Sequence, residues 1–217
     1  MSVTIQYLGL SCFKLTSKIN DEEISLVTDP YNPSSGIKLP RNFEADIVTI
    51  SHNHENHNFL QGMHGAPFVI NGPGEYETKK VFVYGIKSSH TPDLKSGANT
   101  LYRIEIGDMS LAHLGDLGHA LTDEELERLE DVDVLFVPVG GNGILDAKKA
   151  MELVNTLQPR LVIPCHFKMP DLKTHLDSVD KFLREFGAGK LEPQAKVKLA
   201  RKDLPQEETE VILLTRD

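Results

Sequence analysis

The 217-residue chain has only two cysteines, Cys12 and Cys165, and too few cations to offset its acids. Its 23 Lys and Arg against 32 Asp and Glu leave a net charge of −9 with histidine neutral. Two cysteines so far apart make neither a disulfide framework nor a zinc ribbon, which points to a reducing compartment. No run of about 18 apolar residues occurs, so no membrane-spanning helix is expected. The segment Met1-Ser-Val-Thr-Ile-Gln-Tyr7 lacks the basic and then apolar pattern of a secretory leader. A soluble cytoplasmic protein is the expectation. The acid excess argues against a broad footprint for nucleic-acid phosphates, so neither membrane nor nucleic acid is an expected partner. No internal repeat and no long linker divide the chain. With 40% hydrophobic residues and 25% charged ones, it suits one core, read as a single domain over 1–217 with two pseudo-halves at about 1–107 and 108–217.

What is present begins with short apolar segments bounded by Gly, Pro, Asn or Asp: Val3 to Leu8, Cys12 to Thr16, Ile24 to Thr28, Ile47 to Ser51, Phe68 to Asn71, Val81 to Ile86 and Thr100 to Ile106. Their Val and Ile content predicts β-strands. From Ser110 the pattern changes. A strand to Leu114 leads to Thr122-Asp-Glu-Glu, a capping-box pattern that starts a helix running to about Glu130. Strands at Val134 to Val137 and Leu161 to Pro164 alternate with helices at Asp146 to Leu157 and about Asp177 to Phe186, with His175 on a helix. A last strand lies at Val211 to Leu214. This order predicts an α+β fold in which sheets are covered by helices on their outer faces. Both cysteines read as buried small hydrophobes.

The chemistry concentrates where the strand Ile47 to Ser51 ends in Ser-His-Asn-His-Glu-Asn-His. In extended chain His52 and His54 share a side, and a turn can bring His57 to the same point. Neutral imidazoles suit zinc, and also Mn, Fe or Ni, while leaving the ion enough charge to acidify a bound water. His90, Asp116 and His166 each follow an apolar run at a predicted strand end, where groups project from a rigid scaffold. His113 and His119 read as ordinary loop histidines or as supports for ligands. Lys168, just past His166, could favour an anionic substrate.

These residues, in this order, resemble the metallo-β-lactamase superfamily, and within it the branch of small metal-dependent hydrolases that includes L-ascorbate 6-phosphate lactonases. The resemblance runs from Tyr7-Leu-Gly-Leu-Ser-Cys-Phe13 through Val27-Thr-Asp29-Pro, the cluster at 52–57, Gly72-Pro-Gly-Glu-Tyr76, His90, Gly115-Asp116 and Pro138-Val-Gly-Gly141 to Ile163-Pro-Cys-His166. It implies a four-layer αββα sandwich of two mixed sheets flanked by helices, with a metal site on one edge. It also implies one or two zinc ions per chain. His52, His54 and His90 would hold the first and His57 and His166 the second, with Asp116 between them. Asp29 would orient ligands, a supporting role that His113 is expected to share. A metal-bound hydroxide would attack a small ester, lactone or phosphoester; a homo-oligomer is left open.

Two positions depart from the family pattern. Asn56 stands where His-x-His-x-Asp-His has its aspartate, and an amide is a poorer ligand and no base. Leu10 stands where relatives of this branch carry a histidine. The alternative reading is therefore a metal-binding or ligand-sensing protein with weakened catalysis. A nuclease is disfavoured by the acidic, short chain, and β-lactam hydrolysis by the missing leader. The loops Tyr31 to Arg41 and Gly140 to Leu145 are expected to shape substrate choice.

Overall fold

The computed structural model describes residues 1–91 and 97–216. Two β-sheets face each other. In the first, β1 (Val3–Gly9), β2 (Cys12–Ile19) and β3 (Glu22–Thr28) run antiparallel, and β4 (Ile47–Thr49) and β5 (Phe68–Ile70) add parallel to β3. The strand β12 (Lys196–Leu199) closes the far edge beside β1. In the second, β6 (Gly74–Thr78), β7 (Val81–Ser89), β8 (Ala98–Ile106) and β9 (Met109–His113) form an antiparallel meander. It continues in parallel through β10 (Val134–Pro138), β11 (Leu161–Cys165) and β13 (Glu210–Val211). Both sheets are mixed, as the resemblance implies. The late strand β12 lies in the first sheet and β6 to β8 in the second, so neither sheet is built from one half of the chain.

Alternation explains which residues meet between the sheets. Val3, Ile5, Tyr7, Phe13 and Leu15 point into the main core with Val83, Tyr102, Ile104 and Leu111, while Leu8, Leu10, Cys12, Val27 and Val48 point to the opposite side. Phe13 stacks on Phe136 with centroids 4.3 Å apart and on Tyr7 at 5.0 Å. The strand β10 is buried along its whole length, as a parallel strand covered on both faces should be. Cys12 and Cys165 are both buried and free.

Three α-helices occur among the described residues: α1 (Asp123–Arg128), α2 (Ala147–Leu157) and α3 (Val179–Phe186). The capping box is present, with Thr122 accepting from the Glu125 amide and Glu125 reaching back to the Thr122 amide. The helix α1 packs against β7 and α3 against β11, both in the second sheet, and α2 packs on α3. On the outer side of the first sheet the apolar cover is loop chain instead: Tyr31, Ile37, Phe43 and Leu176 pack on the strands, with 3-10 turns at Pro33–Ser35 and Leu60–Gly62. The third helix starts later than expected, which leaves His175 in a loop. Two strands, β6 and β12, went unpredicted because Gly-Glu-Tyr-Glu-Thr and Lys-Val-Lys-Leu are polar edge strands without an apolar run. Among the described residues no helix is long and apolar enough to cross a membrane.

Candidate metal centre

The site forms where strand ends from both sheets meet. After β4, Ser51 ties across the sandwich, its carbonyl accepting from the Thr100 amide of β8 at 2.8 Å. The chain then coils, with the His57 and Asn58 amides both donating to the His54 carbonyl. This turn folds His57 back beside His52, with ring centroids 4.1 Å apart. His90 follows β7 and meets His52 edge-on at 4.5 Å. Asp116 follows β9, and His166 follows β11 and stacks on His57 at 5.4 Å.

Three overlapping groups result, each with its ligand atoms within 4.8 Å of one another: His52, His54 and His57; His52, His90 and Asp116; and His57, Asp116 and His166. Asp116 belongs to two of them. Its carboxylate lies 3.1 Å from His57 Nε2, 3.9 Å from His52 Nε2 and 2.8 Å from His166 Nδ1. His54 is gathered with His52 and His57 and not with His90. It is exposed, and its Nδ1 accepts the Asn56 amide at 3.2 Å.

The fit to a cation shows in what is left unpaired. The Nε2 atoms of His52, His57 and His90 and Oδ1 of Asp116 are buried without a well-aligned hydrogen bond. Buried polar atoms rarely go without partners, since each costs about 1–3 kcal/mol. Among the described residues the Nε2 atoms of His52 and His90 have no partner, and that of His57 meets only the Asp116 carboxylate, which His166 also meets. Imidazole nitrogens gathered on one carboxylate in this way suit a divalent transition-metal ion.

The charges agree with that reading. Burial and the neighbouring His57 cation push His52 down to about 3, and burial likewise lowers His90, so both rings are neutral and able to ligate. Burial would lower His57 as well, but Asp116 and Asp29 on its two sides overcome this and lift it to about 10. Burial raises Asp116, yet His166 and His57 outweigh it and hold the carboxyl well below its ordinary value. Without metal, a proton on His57 stands in for cationic charge between two carboxylates.

Beneath these residues lies a polar network that the sequence hinted at only through Asp29 and His113. Asp29 is fully buried at the end of β3, with φ +40. It accepts from the Ser51 amide at 2.7 Å, from the Ser51 hydroxyl at 2.6 Å and from His57 Nδ1 at 2.8 Å. His113 Nε2 donates to the Ser11 carbonyl at 2.8 Å, and its Nδ1 accepts from the Gly115 amide at 3.3 Å, which anchors the loop carrying Asp116. Ser51, Ser11 and Asn99 escaped the sequence reading. Ser11 Oγ is 2.8 Å from His166 Nδ1, and Asn99 accepts from the Asp116 amide at 3.3 Å. Their only signal in the sequence was adjacency, Ser51 preceding His52 and Ser11 opening Ser-Cys-Phe. Two glycines are also structural here. A Cβ on Gly118 would lie 2.4 Å from the His90 carbonyl oxygen, and one on Gly140 would lie 2.1 Å from that of His166.

Other predicted residues lie further out. Asn56 is buried beside His57. Its neighbour Glu55 turns away and accepts the Ser34 hydroxyl at 2.9 Å. Leu10 is fully buried in the apolar cluster on the outer side of the first sheet, so it offers the site its carbonyl only, which accepts the His166 amide at 2.8 Å. His119 is buried, with Nε2 3.0 Å from the Ser89 carbonyl. Lys168 is exposed and lines a groove of about 430 Å³ with Tyr7, Ile37, Phe167, Met169 and Arg216.

A sequence profile described as "Beta-lactamase superfamily domain" matches residues 4–166. A Thermotoga maritima crystal structure, designated a Zn-dependent hydrolase of the metallo-beta-lactamase superfamily, is 33% identical. It covers 98% of each chain with a TM-score of 0.78. A Carboxydothermus hydrogenoformans protein named a UPF0173 metal-dependent hydrolase is 26% identical, over 75% of this chain and 84% of its own length. The structure of Igni18, a metallo hydrolase from Ignicoccus hospitalis, is 20% identical with a TM-score of 0.65 and is similar in fold.

Proposed function

The chain belongs to the metallo-β-lactamase superfamily, and from that premise we propose that it is a metal-dependent hydrolase of a small anionic ester, lactone or phosphoester, with zinc as its ion. The observation that carries this is the convergence of the His52, His57 and His90 Nε2 atoms on the Asp116 carboxylate, with those of His52 and His90 left without a partner among the described residues. When bound, a divalent ion supplies Lewis acidity for the scissile carbonyl or phosphoryl oxygen and a water acidified toward about pH 7. His52, His90 and Asp116 would hold one ion, and His57, His166 and Asp116 would hold a second. Asp29 and Ser51 orient the rings behind them. Manganese, iron or nickel would fit the same nitrogen and oxygen donors, and availability selects among them.

The groove lined by Lys168, two residues past His166 in sequence, supports an anionic substrate, its two cations outnumbering the one acid, Asp171. Lys168 has no carboxylate at ion-pair distance among the described residues, and Arg216 is steadied at its rim by donating to the Lys38 carbonyl at 2.6 Å. Apolar walls from Ile37, Phe167 and Met169 leave room for a compact organic group. A sugar-derived lactone phosphate, of the kind that the resemblance to ascorbate 6-phosphate lactonases suggests, combines those features.

Asn56 favours a second reading, a metal-binding protein with little turnover. It places a neutral amide where a carboxylate would take a proton, and Glu55 is committed to Ser34. Assaying zinc- or manganese-reconstituted protein on ester, lactone and phosphodiester panels separates the two. Metal-dependent turnover, with Lys168→Glu raising KM for anionic substrates, supports the hydrolase. An inactive parent that gains activity and a second ion through Asn56→Asp supports the binding protein.

A further inference from the structure

Ser51 sits between the two halves of the centre, and its contacts admit only one arrangement of protons. Its hydroxyl lies 2.6 Å from Asp29 Oδ2 and 2.9 Å from His52 Nδ1. A carboxylate only accepts, so the single hydroxyl hydrogen goes to Asp29; two oxygens at that distance without a hydrogen would repel. The contact with His52 must then be filled by a hydrogen on Nδ1. A neutral imidazole carries one N–H, so Nε2 is left as a bare lone pair. That nitrogen is buried, unpaired and 3.9 Å from Asp116.

The serine cannot easily turn to another arrangement. Its amide donates to Asp29 Oδ1 at 2.7 Å, and its carbonyl accepts from Thr100 at 2.8 Å. His57 meets Asp29 Oδ2 directly through Nδ1 at 2.8 Å, and stands 3.5 Å from the Ser51 hydroxyl, at the limit of a hydrogen bond. One carboxylate therefore faces both half-sites, reaching His57 by itself and His52 through Ser51.

We infer that Ser51 is a positioning residue that relays Asp29 to His52, fixing the ring with its proton on Nδ1 and Nε2 aimed into the centre. The inference rests on the metal-site reading for its purpose but not for its proton arrangement, so the two fail separately. Correcting the tautomer of a ligand's ring is worth about 10–100-fold in metal affinity.

The test uses the full chain, labelled with ¹⁵N-histidine and stripped of metal by chelator, together with zinc titrations against a chromophoric competitor. Two-bond ¹⁵N–¹H correlations are expected to show His52 protonated at Nδ1. The Ser51→Ala variant is expected to lose that preference and bind zinc about 10–100-fold more weakly, while Ser51→Thr, which keeps the hydroxyl, recovers most of both. A parent His52 protonated at Nε2 overturns the inference even if Ser51→Ala does not fold. So does a Ser51→Ala protein with parental tautomer and affinity. A parent that shows the Nδ1 proton yet binds no zinc or manganese defeats the hydrolase reading and leaves the relay standing.

Discussion

Replacing Asp29 by asparagine should cost both stability and metal. The change keeps shape, and asparagine tolerates the left-handed backbone at φ +40, so the loss reports charge and hydrogen bonding. The remaining amide oxygen can keep the Ser51 amide at 2.7 Å. The new NH2 group then faces the Ser51 hydroxyl and His57 Nδ1, both of which donate to Asp29 in the parent. Removing one partner of a buried ion pair costs about 3–5 kcal/mol. Two lost charge-assisted bonds, at about 1.5–3 kcal/mol each, give the same range. The NH2 group also invites His57 to accept at Nδ1 and carry its proton on Nε2, the atom needed for metal, which costs about 10–100-fold in affinity. Urea unfolding of the metal-free protein and zinc competition measure the two effects. A stability loss under about 1 kcal/mol with unchanged zinc affinity would refute the reasoning.

In metal-free protein, His57 is lifted from 6.5 to about 10. Its contribution to stability is therefore full below pH 6.5 and declines as pH rises toward 10. Zinc-loaded protein should lack this decline, because the ion replaces the proton; denaturant midpoints at pH 6, 8 and 9.5 with chelator or zinc decide it, and a flat chelator series counts against the His57 assignment. Gly118→Ala places a Cβ 2.3 Å from the Gly143 carbonyl oxygen and 2.4 Å from that of His90. A loss of about 1–3 kcal/mol with weaker zinc binding is expected, and a stable variant with parental affinity would show that Gly118 does not hold His90 in place. Thr122→Ala, by contrast, removes only the α1 cap and should lower stability by about 1 kcal/mol while leaving zinc affinity alone.

Much of this was legible in the sequence because it depends on local pattern. The Val- and Ile-rich runs became β1 to β5 and β7 to β11, and the capping box became α1. The structure brings together the His-x-His turn and the strand-end residues His90, Asp116 and His166 that the sequence singled out. What could not be read depends on contacts between distant segments. Ser51 gains its role from Asp29, 22 residues away, and Ser11 meets His166 across 155 residues. Serine carries no periodic signal that would separate these two from the serines of surface loops. The resemblance grouped His54 with His52 and His90; the structure gathers it with His52 and His57, its Nδ1 accepting from the Asn56 amide two residues on. The helices expected outside the first sheet are replaced by loop chain that buries Tyr31, Ile37 and Phe43, apolar residues too irregularly spaced to predict an element.

The central claim is that His52, His57, His90, His166 and Asp116 together hold a metal ion. Metal content by mass spectrometry, after zinc or manganese reconstitution and exhaustive dialysis, tests it directly in the parent and in Asp116→Ala. Asp116 belongs to two of the three ligand groups, so the parent should retain at least one ion per chain and the variant almost none. A parent that retains no metal, or a variant that retains as much as the parent, would contradict it.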